Sequence, residues 1–346
     1  MNKSTSSTLS KSQLSTKPVA VFIITLFGML MLAASVVVSI SLGAASITPY
    51  TVWQAVFAFD ASLTEHQIIQ EIRIPRVMGA VIVGSVLAVS GALMQGMTRN
   101  ALAEPSIIGI TDGAALAIAI MFAFFTSVPY IGLLGASFVG AGVGTALVFL
   151  VGTLAKGELT PAKLALAGVT IGAFLSAISS AIAIYFDVAQ DLSFWFAGGL
   201  ASMNWQSVQL LLPAALLGLF MAMGLARSIT ILSLGHDVAR GLGQKTALVR
   251  TFGMIAVMLM TGAAVAVAGI IGFIGLVIPH ITRSLVGIDY RYVIPCSAIL
   301  GSLLLVIADI VARMINAPYE TPVGAITALI GVPFFLYLAR REGRGV

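Results

Sequence analysis

The residues with the clearest potential for chemistry lie in one polar segment, Arg227–Arg250, which reads RSITILSLGHDVARGLGQKTALVR between two long apolar runs. Its stretch Gly241–Thr246 has some likeness to a phosphate-binding loop. A Walker A loop has glycine immediately before its lysine, however, whereas Gln244 precedes Lys245 here, and no strand leads into the segment. We therefore expect that the chain binds no nucleotide itself and that any energy from ATP comes from a partner.

Residues typical of metal or nucleophilic sites are dispersed along the chain. His66, His236 and His280 lie in different segments, without a second ligand at metal spacing. Cys296 is the single cysteine, so an intrachain disulfide is impossible. The sequence therefore predicts no catalytic residue, no metal site and no cofactor, and it disfavours a membrane enzyme or scaffold.

Two carboxylates fall inside apolar runs, where an ion-coupled carrier would need them. Asp309 precedes Arg313 by four residues, so both share one helical face and an ion pair accounts for the aspartate. Asp112 lies between Gly109 and Gly113, a spacing of small residues at which helices approach closely. Helix packing accounts for Asp112, with proton coupling as the alternative. A secondary carrier driven by protons or sodium has little support.

The elements that position these residues follow from composition. Of 346 residues, 59% are hydrophobic and 9% charged, and the mean hydropathy is +1.07. These values indicate an integral membrane protein. Continuous apolar runs of about 17 to 25 residues favour helices over a membrane barrel. We predict an all-α bundle of ten transmembrane helices: 19–42, 74–96, 107–125, 131–155, 164–186, 208–226, 248–268, 270–286, 293–312 and 323–339.

The boundary between the seventh and eighth spans is the least distinct, because residues 251–282 carry no charge. One helix of about 32 residues would be roughly 48 Å long, well beyond the hydrocarbon thickness. Gly269 and Gly272 offer a break. Tight packing elsewhere is predicted by glycine pairs four residues apart, at 109 and 113, 140 and 144, and 168 and 172.

Basic residues test the ten-span topology, since Lys and Arg collect in cytoplasmic loops. With a cytoplasmic N-terminus, fifteen of the 18 basic residues lie inside, and only Arg73, Arg76 and Arg313 lie outside. Fusing the seventh and eighth spans would leave eleven inside and seven outside. Ten spans with both termini cytoplasmic therefore fit best. The pI near 9.5 then reflects loop charge, with no need for a nucleic-acid partner.

The two ends of the chain are predicted to lie outside the bundle. Residues 1–18 are rich in Ser, Thr and Lys and read as a disordered cytoplasmic tail. A cleaved signal peptide is the alternative, although the apolar run that follows is about 24 residues, longer than a signal core of about 7 to 15. Residues 19–340 form the permease domain, and residues 341–346 form a cytoplasmic tail.

Several ordered segments resemble one family. The sequence RIPR at 73–76 opens the second span, which continues VMGAVIVGSVLAVSGALMQGMTRNALAEPSIIGITDGA. The polar segment contains LGHDVARGLG, and the last part of the chain reads GIIGFIGLVIPHITR, ADIVAR and ETPVGAITALIGVPFF. From about residue 47 to 340 the chain resembles the FecCD family, the permease subunits of type II ABC importers for iron-siderophores, haem and cobalamin.

The resemblance implies a cell-membrane protein with ten transmembrane helices and cytoplasmic termini. It also implies partners: a second permease, identical or paralogous, an ABC ATPase dimer in the cytoplasm and an extracytoplasmic substrate-binding protein. A ferric siderophore is the expected substrate, with haem or cobalamin as the alternative. We expect the binding protein, rather than the permease, to select among these substrates.

The resemblance also implies three functional regions. A cytoplasmic gate is expected at Leu159, Thr160 and Pro161, although Pro161 also suits an ordinary helix start. Docking of the binding protein is expected at the exposed outward arginines Arg73, Arg76 and Arg313, with snorkelling anchors as the alternative for the first two and the Asp309 pair for the third. ATPase coupling is expected at Leu234, Gly235, His236, Asp237, Ala239, Arg240, Gly241, Leu242 and Gly243, where Gly241 and Gly243 would permit a tight bend. The alternative there is a solvated loop.

Overall fold

The regular structure of this protein is helical. The computed structural model describes residues 18–43, 47–105, 109–125, 127–154, 161–317 and 319–342, and no β-strand occurs in these ranges. The helices are α1 (Pro18–Ser41), α2 (Pro49–Phe57), α3 (Thr64–Ile68), α4 (Ile74–Thr98), α5 (Ile110–Phe124), α6 (Tyr130–Leu154), α7 (Pro161–Tyr185), α8 (Ala189–Gly198), α9 (Trp205–Leu234), α10 (His236–Gly241), α11 (Thr246–Ala268), α12 (Ile274–Val286), α13 (Tyr290–Met314) and α14 (Val323–Glu342). A π-helical turn, Ile69–Arg73, joins α3 to α4.

Each of the ten predicted spans coincides with a helix, and the all-α fold is confirmed. In the described ranges, seven helices are long and apolar enough to cross a membrane. The other three, α5, α12 and the apolar part of α14, are shorter. The 13 residues of α12 rise only about 20 Å, so it does not cross a bilayer by itself. The count of ten complete crossings therefore stays a prediction.

Helix α4 is the centre of the bundle, with 83% of its most apolar window buried. It packs against α9, α11, α12 and α13. Glycines permit the closest crossings, since a methyl group on Gly84 would collide with the Gly301 backbone of α13 and one on Gly91 with Gly275 of α12. The closest crossings of α4 therefore depend on small residues that admit another backbone.

Helices α5, α6 and α7 form a second group that joins the centre mainly through α11. The predicted glycine contacts are confirmed: Gly113 of α5 packs on Gly140 of α6, and Gly109 on Gly144. At the α5–α7 crossing a methyl group on Gly172 would come within 2.6 Å of the Asp112 Oδ2. Asp112 thus lies at a helix crossing, as the packing interpretation predicted.

The predicted break between α11 and α12 is also confirmed. Helix α11 ends at Ala268, Gly269 has φ +64°, and α12 begins after Phe273, which has φ +70°. Because Gly275 contacts Gly91 in the interior of α4, the start of α12 lies inside the bundle. Irregular backbone at such depth is tolerated in a membrane only where protein surrounds it.

Long-range contacts define two ends of the bundle. One end, which we name the arginine end, brings together Arg73, Arg76 and Arg313 with the last turn of α1. The opposite end, the basic-loop end, holds Arg99, the α9–α10–α11 connection and the start of α13. Helix α4 runs from the arginine end to Arg99 at the basic-loop end, and α13 runs in the opposite direction, from Tyr290 to Arg313.

Candidate functional site

The predicted coupling segment forms a short helix that projects between two long ones. Helix α9 ends at Leu234, and α10 occupies His236–Gly241. The chain then turns through Gly243, φ +76°, into α11. Helix α10 is a regular helical turn, with hydrogen bonds from Ala239 N to Gly235 O and from Leu242 N to Val238 O.

The bend that sets the direction of α10 lies at a different glycine from the one expected. Gly235 has φ +143°, which only glycine adopts readily, and it starts α10. Gly243 has positive φ as predicted, but Gly241 is an ordinary helical residue with open space around it. The bend was expected at Gly241 because this residue lies in a glycine-rich run. Gly235 follows an apolar helix and has no such signal in the sequence.

One face of α10 holds the segment in place, and the other is exposed. Ala239 is completely buried between the neighbouring helices. Leu242 is 67% exposed, and Leu234, Val238, Asp237 and Arg240 also lie at the surface. Apolar side chains displayed beside charged ones on a rigid projection are typical of a protein contact surface.

The base of α10 is tied to the rest of the bundle. The Gln244 side-chain amide donates to the Ser228 carbonyl at 2.8 Å, and Gln244 N donates to Ala239 O at 2.9 Å. Thr230 Oγ1 accepts from Tyr290 N at 2.9 Å, which joins α9 to the start of α13. There, hydrogen bonding from Arg291 holds the pKa of the Asp289 carboxyl below its usual range. These hydrogen bonds connect the turn after α10 to α9, and α9 to the start of α13.

At the arginine end, Asp309 is the centre of an ionic network. Its carboxylate is 1% exposed and accepts from Arg76 Nε at 3.1 Å and Nη2 at 2.9 Å. Arg313 Nε lies 3.2 Å from the second oxygen, which confirms the predicted pair along α13. Arg76 Nη1 also donates to Glu320 Oε1 at 2.7 Å. The network joins α4, α13 and the segment before α14.

The other arginine contacts reach the end of α1. Arg73 Nη1 donates to the carbonyls of Ile40 and Ser41. Arg313 Nη2 donates to Ser39 Oγ at 2.6 Å, and its Nη1 donates to the Ser39 carbonyl at 3.1 Å. These donors satisfy carbonyls that the last turn of a helix leaves unpaired.

The expectation that these arginines are exposed is wrong for this chain. Arg73 is 7% and Arg76 8% exposed, and Arg313 is engaged by Asp309 and by the end of α1. The sequence predicts the Asp309–Arg313 pair from its helical spacing, but Arg76 is 233 residues from Asp309 and carries no local signal of that contact. The exposed charged group of the network is Glu320, whose side chain is 45% exposed.

Two of the three predicted gate residues fall outside the residues that the structure describes. Leu159 and Thr160 fall outside the described residues, and Pro161 is the first residue of α7. That position agrees with a helix start and does not test a gating role.

A short helix that lies between two predicted spans is found at the arginine end. Helix α8 carries Gln190, Asp191 and Trp195 and has no fully buried residue. Two cavities flank it, of about 300 and 250 Å³, and Phe194 lines both. The first is lined by aromatic rings and Asp191, and the second by Arg76, Asp309 and Glu320.

Sequence reasoning also missed the role of Glu104. Its Oε1 accepts a 2.8 Å hydrogen bond from Phe273 N at the start of α12. A carboxylate there offsets the positive end of the helix dipole and satisfies a backbone donor inside the bundle. Its place directly before Pro105, in a polar interruption between two spans, was the available signal.

These features define a class of protein: a multi-pass helical membrane protein with a short, partly exposed helix between two long ones at one end and a buried ionic network at the other. The FecCD transport family model matches residues 30–341, and the chain belongs to that family. The resemblance seen in the sequence is confirmed.

Two curated relatives and one solved structure show how close the similarity is. The chain is 58% identical over 324 residues to the iron(3+)-hydroxamate import system permease protein FhuB of Bacillus subtilis, covering 94% of this chain and 84% of that protein. It is 45% identical to the iron-uptake system permease protein FeuB of Bacillus subtilis, covering 90% of this chain and 93% of FeuB. A structure described as an inward-facing conformation of a putative metal-chelate type ABC transporter matches with a TM-score of 0.79 at 31% identity, over 92% of this chain and 99% of that one.

Proposed function

We propose that this chain is the membrane channel subunit of an ATP-driven importer and that its substrate is a ferric siderophore of the hydroxamate kind. The observation that carries the substrate class is the 58% identity to a permease named for iron(3+)-hydroxamate import. Haem and cobalamin are the alternatives within the same family. ATP hydrolysis belongs to a separate subunit, because no nucleotide loop is present in the polar segment.

The contact for a cytoplasmic ABC ATPase dimer is the segment Leu234–Gly243. Support comes from its shape: α10 projects from the basic-loop end, Ala239 anchors it, and Leu242 is displayed at its tip. Because Gln244 and Thr230 tie the segment to α9 and α13, closure of the ATPases would move those helices together. This assignment places the basic-loop end and both termini in the cytoplasm of a bacterial cell.

The contact for an extracytoplasmic binding protein is the arginine end. Arg73, Arg76 and Arg313 support it by holding α1, α4 and α13 in a fixed arrangement beneath the surface that the partner meets. Glu320 competes for Arg76 in the single chain. In the docked complex the arginines would meet partner carboxylates only if this pairing is exchanged.

A second permease, identical or paralogous, covers apolar faces that the single chain leaves exposed. On α7 the exposed side chains include Leu166, Val169 and Phe174, and on α14 they include Leu329 and Leu336. The path for substrate lies between the two subunits, with Leu159, Thr160 and Pro161 as its cytoplasmic gate.

The test is reconstitution into vesicles with a defined orientation. Uptake of an iron-labelled hydroxamate siderophore should require ATP, the ATPase and the binding protein together, and omission of any one should abolish it. The matched arm contains the permease alone with an imposed proton or sodium gradient. Siderophore accumulation in that arm would reject the importer and favour a secondary carrier.

A further inference from the structure

Helix α2 has one buried side and one aromatic side. Val52 and Ala55 are buried against the bundle, whereas Tyr50 is 69%, Trp53 63% and Phe57 68% exposed. The three aromatic residues are spaced by three and then four positions, so they share one face of the helix. The rings of Trp53 and Phe57 lie together, with centroids 4.1 Å apart. On a surface that meets only water such a patch is unusual, and it marks a site of protein or membrane contact.

The position of α2 indicates what covers this face. Helix α2 packs against α1, α3 and the π-helical turn. In α1 only 6% of the most apolar window is buried, and the faces proposed above for the second permease lie on α7 and α14, so lipid covers α1. The exposed side chains of α1 continue to its arginine end with Val37 and Val38, and to Leu42 directly after it. The aromatic face of α2 thus follows the lipid-facing surface of α1 at the level where that span ends.

The composition of the segment fits a lipid surface without net charge. Tryptophan and tyrosine are enriched where lipid headgroups meet the hydrocarbon, because each has an apolar body and a polar tip. The polar tip of Tyr50 accepts a hydrogen bond from Gln54 Nε2 at 3.2 Å. Residues 18–72 contain no lysine or arginine, so α2 offers no basic side chain to anionic headgroups. Its nine residues rise about 14 Å, too little to cross a bilayer but enough to lie along its surface.

Helix α2 is fastened to the segment that carries the outward arginines. Gln70 Nε2 donates to the Ala55 carbonyl at 2.8 Å, and Trp205 Nε1 donates to the Gln70 carbonyl at 3.0 Å. Gln70 belongs to the π-helical turn Ile69–Arg73, which leads directly into α4, the helix that holds Arg76. A fixed depth of α2 in the membrane would therefore fix the height of the arginine end above it.

We propose that α2 is an interfacial helix that lies in the headgroup layer of the outer leaflet, with Tyr50, Trp53 and Phe57 inserted toward the lipid chains. Its partner is a zwitterionic phospholipid surface, since no basic residue is present to select anionic lipid. The helix seats the arginine end at a fixed height for the docking protein. The outer leaflet and the seating role rest on the proposed function, whereas the lipid contact does not.

The lipid contact is tested on the purified chain in lipid nanodiscs by electron paramagnetic resonance. Cys296→Ala removes the single cysteine, and a nitroxide is attached through Phe57→Cys or Tyr50→Cys on the aromatic face. The control label is attached through Ala61→Cys, an exposed position in the turn that follows α2. Collision rates with oxygen, which dissolves in lipid, and with an aqueous nickel chelate give the depth of each label. We expect the two face labels about 5–10 Å inside the membrane surface and the control label in water.

Three outcomes would overturn the lipid contact. Face labels that collide with the nickel chelate as often as the control label would place α2 in water. Face labels protected from both oxygen and the chelate would assign the face to a second copy of the chain. Nanodiscs of phosphatidylcholine, with or without phosphatidylglycerol, should give the same depth, and insertion only with phosphatidylglycerol would refute a zwitterionic surface. The second face position decides the test if one labelled variant loses the parent elution volume.

The seating role has its own experiment. Trp53→Glu places a charge on the aromatic face and should weaken docking of the purified binding protein to the nanodiscs several-fold. Ala61→Glu adds the same charge in the turn after α2 and should leave docking unchanged. Equal docking of the two variants would refute the seating role. Failure of the parent chain to dock the binding protein would instead refute the proposed docking end, since the label depths are measured without that partner.

Discussion

Asp309 is the residue whose loss the structure predicts to be most costly. Its carboxylate is the shared counter-ion of Arg76 and Arg313, and it is almost completely buried. In Asp309→Asn the shape is kept, but the charge is removed and an amide N–H₂ faces two guanidinium groups. Breaking a buried pair from one side costs about 3–5 kcal/mol, because the remaining charge is left uncompensated.

Glu320→Gln is the matched control, since it removes a carboxylate from the same arginine at a site that is 45% exposed. Solvent screens that contact, and exposed pairs contribute about 0–1 kcal/mol. The free energy of unfolding can be compared for parent, Asp309→Asn and Glu320→Gln by titrating SDS into mixed micelles and following tryptophan emission. We expect the free energy of unfolding of Asp309→Asn to be well below that of the parent and of Glu320→Gln.

The double variant Asp309→Asn with Arg76→Gln tests the reason for the loss. If an uncompensated cation is responsible, removing Arg76 should restore part of the stability that Asp309→Asn alone loses. A single Asp309→Asn variant that is as stable as Glu320→Gln would refute the reasoning. So would a double variant that shows the full sum of the single losses.

Three further predictions follow from individual contacts. Leu242→Asp should abolish co-purification of the ATPase with little change in the thermal midpoint of the chain, because the side chain is 67% exposed. Leu242→Met should bind normally, and retained ATPase with the aspartate variant would count against α10 as the contact. Glu104→Ala should lower the free energy of unfolding by about 1–3 kcal/mol, because it leaves Phe273 N unpaired, whereas Glu104→Gln keeps an acceptor. Equal losses of unfolding free energy in the two variants, measured by SDS titration, would disprove the role of this hydrogen bond. Gly91→Ala should reduce the yield of monodisperse protein, because its methyl group meets the Gly275 backbone, whereas Gly224→Ala enters open space and should not; matching gel-filtration profiles would contradict the α4–α12 packing.

The sequence predicts features that depend on neighbours along the chain. Apolar runs locate the long helices, the glycine pairs on α5 and α6 predict their contact, and the four-residue spacing predicts the Asp309–Arg313 pair. Each prediction uses a period of one helix or a composition over one span. The residues proposed for ATPase coupling likewise come from a local match, the segment LGHDVARGLG that resembles the family.

Features that depend on distant segments could not be predicted in this way. The burial of Arg76 arises because α4 and α13 cross at Gly84 and Gly301, which brings Asp309 to it. Helix α8 is short and lacks a buried face, so its amphipathic signal is weak. The bend at Gly235, φ +143°, lies directly between α9 and α10 with no glycine-rich run to indicate it. In each case tertiary packing decides the environment of a residue whose local sequence is ordinary.

The engagement of the interior carboxylates bears on the choice between an ATP-driven importer and an ion-coupled carrier. In carriers built on interrupted helices, half-helix ends and intramembrane carboxylates are left available to bind ions and substrate. Here the start of α12 is occupied by Glu104 of the same chain, Asp309 is shared by two arginines, and Asp112 lies against Gly172 at a helix crossing. At Glu104 and Asp309, a proton or sodium ion would have to displace one of these contacts before it could couple to transport. The engagement of Asp309 and Glu104 within the chain therefore agrees with the proposal that the free energy for uptake comes from a partner ATPase at α10 rather than from an ion gradient.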